Sequence, residues 1–449
     1  AERAVCVILS GTGTDGTLGM RAIKGASGMA MVQKPQTADY AGMPSSAIAT
    51  GMADYILAPE AMPEHLVAYV RAGGLLVGGK GPDAPELPAE PLQKIFLLLR
   101  GRTGHDFSAY KSKTIRRRIE RRMHVHQIKD ADLYVRLLQE NPHEIDMLFK
   151  ELLISVTNFF RDPEAWESLA VHLADLVRER PVDHPLRAWI PGCATGEEVF
   201  SLAIMLKEIS EMQNRHHEVQ IFGTDLDSVA IEIARAGEYS EGIAADVSAE
   251  RLERHFVRED GLYRIRKDIR EMVIFAPQNV IKDPPFTKLD IVCCRNLMIY
   301  LGAGLQRKLI PLFHYALKPG GLLFLGPSET VGTADELFIA LDMRWKIYRR
   351  RDPSAGRPHI PVMPADLSSG DEELVVASAP VAPIERERRL TSTIKRMLLG
   401  RFAPVCVVAS PRGEIIFIHG KTGSYLEPSQ GEPRNNVMEM AREGLAIEL

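Results

Sequence analysis

The chain has 449 residues, of which 45% are hydrophobic and 25% are charged, and its formal net charge at pH 7 is -4. These values are typical of a globular protein of about three domains, and they exclude a wholly disordered chain. The small net charge gives no general attraction to nucleic acid or to an anionic surface. No apolar run reaches the roughly 18 residues that a membrane span needs. We therefore predict neither a nucleic-acid partner nor direct membrane insertion.

Five cysteines are present, an odd number, and none of them has CxxC or zinc-finger spacing. This pattern is typical of a reducing compartment and predicts a cytoplasmic protein without a metal site. The sequence begins without methionine inside a strand-like run. We expect it to be a piece of a longer protein.

The first predicted unit covers residues 1–72, with the strand "VCVILS", the loop "GTGTDG", a helix from Thr17 to Ile23, and the strands "MAMVQ" and "ADYIL". A glycine- and proline-rich linker is predicted over 73–91. Residues 92–180 have a helical pattern. This order predicts an α/β unit that is followed by a small all-helical domain.

From 181 to 351, strands alternate with segments of helix length, which predicts a parallel sheet with helices on both faces. Within this region "HFVREDGLYRIR" predicts a tight hairpin. A second linker is predicted over 352–383. The last segment, 384–449, begins with a charged helix, and two short strands follow it, joined by "SPRGE".

Two glycine-rich loops are candidate nucleotide-binding turns. "GTGTDG" is a literal G-x-G-x-x-G match, but no acidic residue follows at the end of a second strand, where a ribose contact is expected. "PGCATGEE", which includes Gly192, follows the first strand of the alternating region, and the next strand, "VQIFGTD", ends in Asp225. A glycine turn with an acid-tipped second strand predicts a nucleoside site, although a structural turn with a helix cap is the alternative.

Glu197 and Glu198 begin the helix after the second loop. A bare helix N-terminus suits phosphate, whereas two carboxylates repel it. The paired acids therefore favour a cationic cofactor without phosphate. S-adenosylmethionine, with its sulfonium and amino groups, fits this description.

Five segments then resemble the successive motifs of the CheR family of chemotaxis-receptor methyltransferases, in family order, over about residues 92 to 350. They are "ELLISVTNFFRDPEAW", "WIPGCATGEEVFSLAI", "IFGTDLD", "LDIVCCRNLMIYL" and "LKPGGLLFLGPSE". The resemblance implies a Rossmann-like class I methyltransferase sheet after a helical domain. It also implies methyl transfer from S-adenosylmethionine to glutamate side chains of receptor helices.

The resemblance implies roles for particular residues. Thr157 and Arg161 would lie at the cofactor's tail, Glu197 near its sulfonium and amine, and Asp225 at the ribose. Asn279 and Val280 would lie by the adenine. Arg295, Asn296 and Tyr300 would line the pocket where the methyl group meets the substrate, with Arg161, Arg295 and Tyr300 as the catalytic set. Ser155 stands where the family commonly has asparagine, so its cofactor role is less secure, and Tyr300 could instead be a core aromatic.

The basic segment "KSKTIRRRIERRM" predicts an amphipathic helix, with Ile115, Ile119 and Met123 on one face. Arg117, Arg118, Arg121 and Arg122 fall on the other side. They are predicted to dock acidic receptor helices, although an ordinary solvated face or nucleic-acid binding are alternatives.

A different reaction is possible for "DPPF", Asp283-Pro284-Pro285-Phe286. Amino-methyltransferases use a motif of this kind to accept amine hydrogens. In those enzymes the motif should cap the fourth strand directly, whereas here the strand "LDIVCC" follows it. A third alternative is a regulatory module that binds S-adenosylmethionine without catalysis.

The two ends of the chain resemble other signalling families. "VILSGTGTDGTLGMRAIK" is similar to the last third of the CheB methylesterase domain, in which Asp15 would be the triad aspartate. Its serine and histidine partners would lie upstream of residue 1, so no esterase activity is expected. The segment from Ile384 resembles the start of a PAS sensor domain. The sequence therefore predicts part of a CheB/CheR fusion with a PAS-like extension.

Overall fold

A computed structural model describes residues 4–26, 28–71, 87–153, 157–259, 261–332, 334 and 336–351, the backbone of 406–409 and 415–419, and residue 440. The chain forms two compact units, Ala1–Ala365 and Asp366–Leu449. No helix among the described residues combines the length and apolar character needed to cross a membrane.

The N-terminal segment is a three-stranded parallel sheet in the order β1-β2-β3, with helices packed against it. All five residues of β2 are buried, as expected for the central strand of a parallel sheet covered on both faces. The helices α2 and α3 were not predicted, because proline and glycine lie in their first turns, where a helix tolerates them. The elements are β1 (Val5–Ile8), α1 (Thr17–Gly25), β2 (Met29–Gln33), α2 (Gly42–Ala49), β3 (Tyr55–Leu57) and α3 (Met62–Arg71).

Five helices follow, in agreement with the predicted helical region. The first four share a core that includes Ile95, Leu99, Ile119, Tyr134 and Leu148, each with no exposed surface, whereas the fifth packs into the core of the alternating region that follows. These helices are α4 (Ala89–Thr103), α5 (Ser112–Val125), α6 (Ala131–Glu140), α7 (Pro142–Leu153) and α8 (Pro163–Glu179).

The alternating region forms a seven-stranded sheet in the order β12-β13-β11-β10-β4-β5-β9. β13 runs antiparallel to its neighbours β11 and β12, and the remaining pairs are parallel. From β4 the chain adds β5 and β9 on one side of β4, and then crosses over to add β10 on the opposite side of β4. Between β4 and β10 this reversal opens the crevice in which doubly wound sheets bind ligands.

The elements of this region include a small separate sheet, β6-β8-β7, which contains the predicted hairpin and a third strand that was not predicted. They are β4 (Leu186–Pro191), α9 (Glu197–Met212), β5 (Val219–Asp225), α10 (Ser228–Ala236), β6 (Glu238–Ser240), α11 (Ala249–His255), β7 (Phe256–Glu259), β8 (Leu262–Ile265), α12 (Lys267–Arg270), β9 (Val273–Pro277), β10 (Leu289–Cys294), α13 (Ala303–Ala316), β11 (Leu317–Leu325), β12 (Phe338–Asp342) and β13 (Ile347–Arg350).

The second unit contains one described antiparallel strand pair, β14 (Cys406–Ala409) and β15 (Ile415–His419). The two strands predicted on either side of "SPRGE" are therefore present. The charged helix predicted before them lies outside the described residues.

The arginines of α5 are buried, so the prediction that they form a receptor-docking face is wrong for three of the four. Arg118, Arg121 and Arg122 have 3–4% of their surface exposed, and Arg117 is half-buried. The reason is that neighbouring acids cover them. Arg122 pairs with Glu144 of α7, and the N-terminal segment covers Arg121.

A buried charge cluster joins the N-terminal segment to the helical domain. We define it as Lys24, Asp54, Arg118, Arg121 and Glu151. Arg121 pairs with Asp54 and, at 2.7 Å, with Glu151, while Lys24 contacts Asp54 at 2.8 Å and Glu151 at 3.3 Å. Burial favours the neutral form of Asp54, but Arg121 and Lys24 outweigh it and hold the pKa of Asp54 well below its usual range. The cluster therefore stays ionised across the junction.

Replacing Asp54 with alanine should leave the Arg121 charge buried and short of a partner. Breaking one side of a buried ion pair costs about 3–5 kcal/mol of unfolding free energy. Urea denaturation should therefore show a large drop in the midpoint for Asp54→Ala. The control is Asp146→Ala, which removes an exposed pair with Arg102 and should change the midpoint little. Equal, small shifts for both variants would contradict a structural role for the cluster.

Candidate active site

A cavity of about 90 Å³ lies at the carboxyl ends of β4, β5, β9 and β10. Its walls come from the loops that follow these strands, from the segment before α8, and from the loop between α4 and α5. The lining residues are Tyr110, Leu152, Leu153, Thr157, Arg161, Gly192, Cys193, Ala194, Glu198, Asp225, Leu226, Gln278, Asn279, Val280, Ile281, Arg295, Asn296, Leu297, Tyr300 and Leu301.

The glycine loop after β4 is shaped by its backbone. Gly192 has φ 73°, a left-handed conformation that favours glycine, and a Cβ there would contact Leu297 at 3.1 Å. Gly196 has φ 91° and caps α9. The backbone N–H of Ala194 donates to Asp225 Oδ2 at 2.8 Å, so the tip of β5 holds the loop of β4 in place.

Asp225 is placed where the sequence predicts it, on the cavity wall at the end of β5. Its second oxygen, Oδ1, accepts from the N–H of Asp227 at 2.9 Å. Burial raises the pKa of Asp225, and the N–H groups of Asp227 and Ala194 oppose that rise. A carboxylate accepting these bonds still has lone pairs for hydroxyl donors in the cavity.

The paired acids at the start of α9 point to different places. Glu198 lines the cavity, whereas Glu197, for which a cofactor contact was predicted, lines a second cavity beside the N-terminal segment. Successive side chains on a helix point about 100° apart, so the two carboxylates leave the start of α9 in different directions. Glu197 instead accepts from Thr195 Oγ1 at 2.6 Å and lies 3.7 Å from Arg21 of the N-terminal segment.

Arg295 forms an ion pair with Glu198 and holds it in position. Its guanidinium lies 3.3 Å from Glu198 and 2.7 Å from Asp162, and it stacks over Phe324 with 4.7 Å to the ring centroid. Burial raises the pKa of Glu198, while Arg295, the Cys293 thiol and Arg161 favour its ionised form. The carboxyl group of Glu198 is therefore held in place on the cavity wall by Arg295 and the Cys293 thiol.

Two buried acceptors on the lining lack a hydrogen-bond partner among the described residues: Asn296 Oδ1 and Gln278 Oε1. A buried acceptor without a partner is costly and is usual where a ligand supplies the donor. Asn296 has φ 57°, and its N–H donates to Glu329 at 2.9 Å. A nucleoside cofactor with amine and hydroxyl donors and a positive centre fits this set of acids and amide oxygens.

The helical domain contributes groups that the sequence analysis missed. Tyr110 lines the cavity, and its hydroxyl bonds His105 Nε2 at 2.9 Å. His105 Nδ1 in turn bonds Asn279 Nδ2 at 3.1 Å. Burial lowers the pKa of His105 to about 4, so the ring is neutral at pH 7. Both residues are far from the strand tips in sequence, and no motif marks them.

The other predicted residues divide as follows. The cavity brings together Thr157, Arg161, Gly192, Asp225, Asn279, Val280, Arg295, Asn296 and Tyr300. Ser155 lies outside the described residues. Asp15 is exposed in the loop before α1.

The "DPPF" motif does not line the cavity. Phe286 stacks on Phe222 with 4.2 Å between ring centroids, and Asp283 accepts from the N–H of Asn279 at 2.7 Å. In this chain the motif supports the core and a turn.

The sheet order, the single antiparallel strand and the acid-lined crevice define a class I S-adenosylmethionine-dependent methyltransferase. Three family models match the chain. They are the CheR methyltransferase, SAM binding domain, over residues 155–347, the CheR methyltransferase, all-alpha domain, over 90–153, and the CheB methylesterase, over 1–66.

Curated relatives agree with these matches. The chain is 32% identical over 248 residues to a chemotaxis protein methyltransferase of Klebsiella aerogenes, covering 53% of this chain and 82% of that one. The corresponding Escherichia coli protein is 30% identical, with coverage of 55% and 86%. An uncharacterized 104.1 kDa protein of Rhodobacter capsulatus is 36% identical, with coverage of 96% of this chain and 47% of that protein.

The chain belongs to the CheR family of methyltransferases, and it carries a CheB methylesterase fragment at its N-terminus. Its cofactor is S-adenosylmethionine. The chain spans about half the length of the Rhodobacter relative.

Replacing Asp225 with asparagine should weaken binding of S-adenosylhomocysteine, the demethylated product, by roughly 10–100-fold, since a hydrogen bond to a charged group contributes about 1.5–3 kcal/mol. The wild-type affinity should also fall as the pH drops, because protonation removes the acceptor. Since burial raises the pKa of Asp225, this fall should begin above the usual value of 3.8. Calorimetry over a pH series measures both effects.

The matched control is Asp227→Asn, since Asp227 caps α10 and asparagine caps a helix equally well. Its affinity should stay near that of the wild type. An Asp225→Asn variant that binds as tightly as the wild type would remove Asp225 from the cofactor site.

Proposed function

We propose that this chain transfers a methyl group from S-adenosylmethionine to glutamate side chains of chemoreceptors and so forms glutamyl methyl esters. The observation that carries the proposal is the cavity lining, which combines Glu198, Asp225 and unpaired amide oxygens at a class I crevice. The named function of the chemotaxis relatives supports the choice of substrate.

The reaction needs alignment rather than a general base. A glutamate carboxylate is ionised at neutral pH and is already a nucleophile. When bound, S-adenosylmethionine supplies an electrophilic methyl group. Among the described residues that line the cavity there is no histidine and no lysine. The chain's contribution is therefore to position the two reactants and to exclude water.

We assign the cofactor contacts to three walls of the cavity. Asp225 would accept from the ribose hydroxyls, and Asn279 with Val280 would lie beside the adenine. Glu198 would face the positive part of the cofactor, and Arg161 would pair with its carboxylate. Thr157 and Asn296 complete the lining.

Tyr300 and Arg295 differ in their access to the substrate. Tyr300 is half-buried at the cavity edge and can contact an incoming carboxylate. The side chain of Arg295 is fully buried, with Asp162 and Glu198 on its guanidinium. We therefore infer that Arg295 is a positioning residue that holds Glu198, and that Tyr300 and Arg161 act at the reacting groups.

In place of the buried arginines, we propose that the receptor docks at the first turn of α5. The N–H of Lys111 donates to the carbonyl of Tyr300 at 2.9 Å, so this turn lies at the edge of the cavity. Lys111 and Lys113 are exposed, and the first turn of α5 contains no acidic residue. Positive charges at a helix N-terminus interact unfavourably with the helix dipole, so these lysines do not stabilise α5. They would instead attract the acidic surface around a receptor glutamate.

The second unit and the ends of the chain complete the proposal. We place the boundary between the helical and the methyltransferase domains at about residue 154 rather than at the predicted 180, following the two CheR matches. We keep the PAS-like segment over 384–449, and the described pair β14–β15 is compatible with that assignment. Asp15 is proposed as the triad aspartate of the CheB fragment. A cytoplasmic location is supported by the cysteines whose side chains the structure describes, Cys6, Cys193, Cys293 and Cys294, all of which are free thiols.

Labelled methyl from S-adenosylmethionine should enter a receptor cytoplasmic fragment in a base-labile form, because esters hydrolyse in alkali and methylated amines do not. Arg161→Ala and Tyr300→Phe should lower the rate, by about 10²-fold for the loss of the Arg161 charge. The control Asp283→Ala should retain most of the rate. If the label is stable in base and is lost in Asp283→Ala, the protein is an amino-methyltransferase that uses the DPPF motif. If the protein binds the cofactor but transfers no label, it is a regulatory S-adenosylmethionine-binding module.

Reversing the charges of Lys111 and Lys113 to glutamate should raise the KM for the receptor fragment and reduce the dependence of the rate on salt. S-adenosylhomocysteine affinity should be unchanged, because neither side chain lines the cavity. The control is Lys267→Glu with Lys288→Glu, two lysines outside α5. An equal change in KM for both pairs would show that the α5 lysines act only through net charge.

A further inference from the structure

A second cavity, of about 260 Å³, lies between the CheB fragment and the methyltransferase. Thr14, Thr17 and Arg21 line it from the CheB side. Glu197, Thr157 and Tyr239 line it from the methyltransferase side. Thr157 also lines the cofactor cavity, so the two cavities share a wall.

Glu197 connects this junction to the cofactor loop. Its side chain is 3% exposed, 3.7 Å from Arg21 Nη1, and its Oε2 accepts from Thr195 at 2.6 Å. The Thr195 carbonyl accepts from the Tyr239 hydroxyl at 2.8 Å. Thr195 is next to Ala194, whose N–H is held by Asp225. A chain of contacts therefore runs from Arg21 to the residue that is proposed to bind the ribose.

The buried charge cluster fixes the position from which Arg21 reaches this loop. Lys24, one turn after Arg21 on α1, contacts Asp54 and Glu151. Arg121 donates to the Gly28 carbonyl at 2.8 Å, just beyond the end of α1. Helix α1 is thus attached to the helical domain at one end and faces Glu197 along its side.

From these contacts we propose that Arg21 of the CheB fragment is a positioning residue for the S-adenosylmethionine loop, and that the CheB fragment thereby sets the cofactor affinity of the CheR site. The inference rests on the proposed cofactor site. By reciprocity, cofactor binding must then favour the docked arrangement of α1 by the same factor. Asp15 lies two residues before the start of α1. The same helix therefore connects the loop that carries Asp15 to the loop that is proposed to bind the methyl donor.

The ionisation of Glu197 gives the link a measurable signature. Burial raises the pKa of Glu197, Arg21 and the Thr195 hydroxyl lower it, and Asp246 raises it. Cys193 and Tyr239 are the other titratable groups that face it. Removing Arg21 takes away the largest influence that lowers the pKa of Glu197, while burial and Asp246 still raise it. Glu197 should therefore take up its proton at a higher pH in the variant than in the wild type.

Calorimetry with S-adenosylhomocysteine and the full 449-residue chain tests the proposal. Arg21→Ala should weaken binding about tenfold, within the range of coupled sites. The deficit should grow as the pH is lowered, because Glu197 takes up its proton at a higher pH in the variant than in the wild type. Arg21→Lys, which keeps the charge, should recover most of the affinity. The control Arg71→Ala removes an exposed arginine of the same fragment and should bind as the wild type does.

A double-mutant cycle with Glu197→Gln separates this link from general loosening of the junction. In the Glu197→Gln background, Arg21→Ala should cause little further loss. The proposal is overturned if Arg21→Ala binds like the wild type at every pH, or if its loss is the same with Glu197 and with glutamine. If Arg21→Ala fails to fold by circular dichroism, Arg21→Gln, which removes the charge but keeps a long polar side chain, completes the same cycle. A wild type that binds no S-adenosylhomocysteine would instead overturn the proposed cofactor site.

Discussion

The arrangement of the first 350 residues depends on the need to keep a buried guanidinium paired. Arg121 is 3% exposed and receives Asp54 from the CheB fragment and Glu151 from α7. Its desolvation is costly, and only ionised partners on both sides offset it. Separating the two segments would leave Arg121 and Asp54 each short of a partner, so the junction is specified by charge as well as by shape. The helical domain thereby has one side committed to the CheB fragment and another open to the cofactor cavity.

The cofactor site depends on a second pairing, between neighbouring strand tips. Because β4 and β5 are adjacent and parallel, the loop after β4 and the carboxylate that ends β5 meet at one edge of the sheet. The Ala194 N–H takes one lone pair of Asp225 and turns the loop toward the crevice. On the far side, the loop after β10 brings Arg295 under Glu198. Under the proposed function, these acids, which the protein already holds in place, would select a positively charged ligand without phosphate.

The sequence predicted the parallel strands of the sheet up to β11 and the loops that carry the site, because hydrophobic alternation and glycine turns are local signals. It did not predict the last two strands, β12 and β13, of which β13 runs antiparallel to its neighbours. It assigned the cofactor contact to Glu197, whereas Glu198 lines the cavity, and local pattern does not show which of two neighbouring residues at the start of α9 faces it. Helical periodicity separated the arginines of α5 from its apolar face but gave no sign that other segments cover them. His105 and Tyr110 reach the site through long-range packing, as the bond from His105 to Asn279 shows. Features set by contacts distant in sequence were the ones missed.

Thr157 lines both cavities, the one of about 90 Å³ at the strand tips and the one of about 260 Å³ beside the CheB fragment. Because this side chain belongs to both walls, a bulkier residue at position 157 would take volume from both cavities, and a smaller one would enlarge both. One substitution there would therefore change the space beside the cofactor loop and the space beside the CheB fragment at the same time.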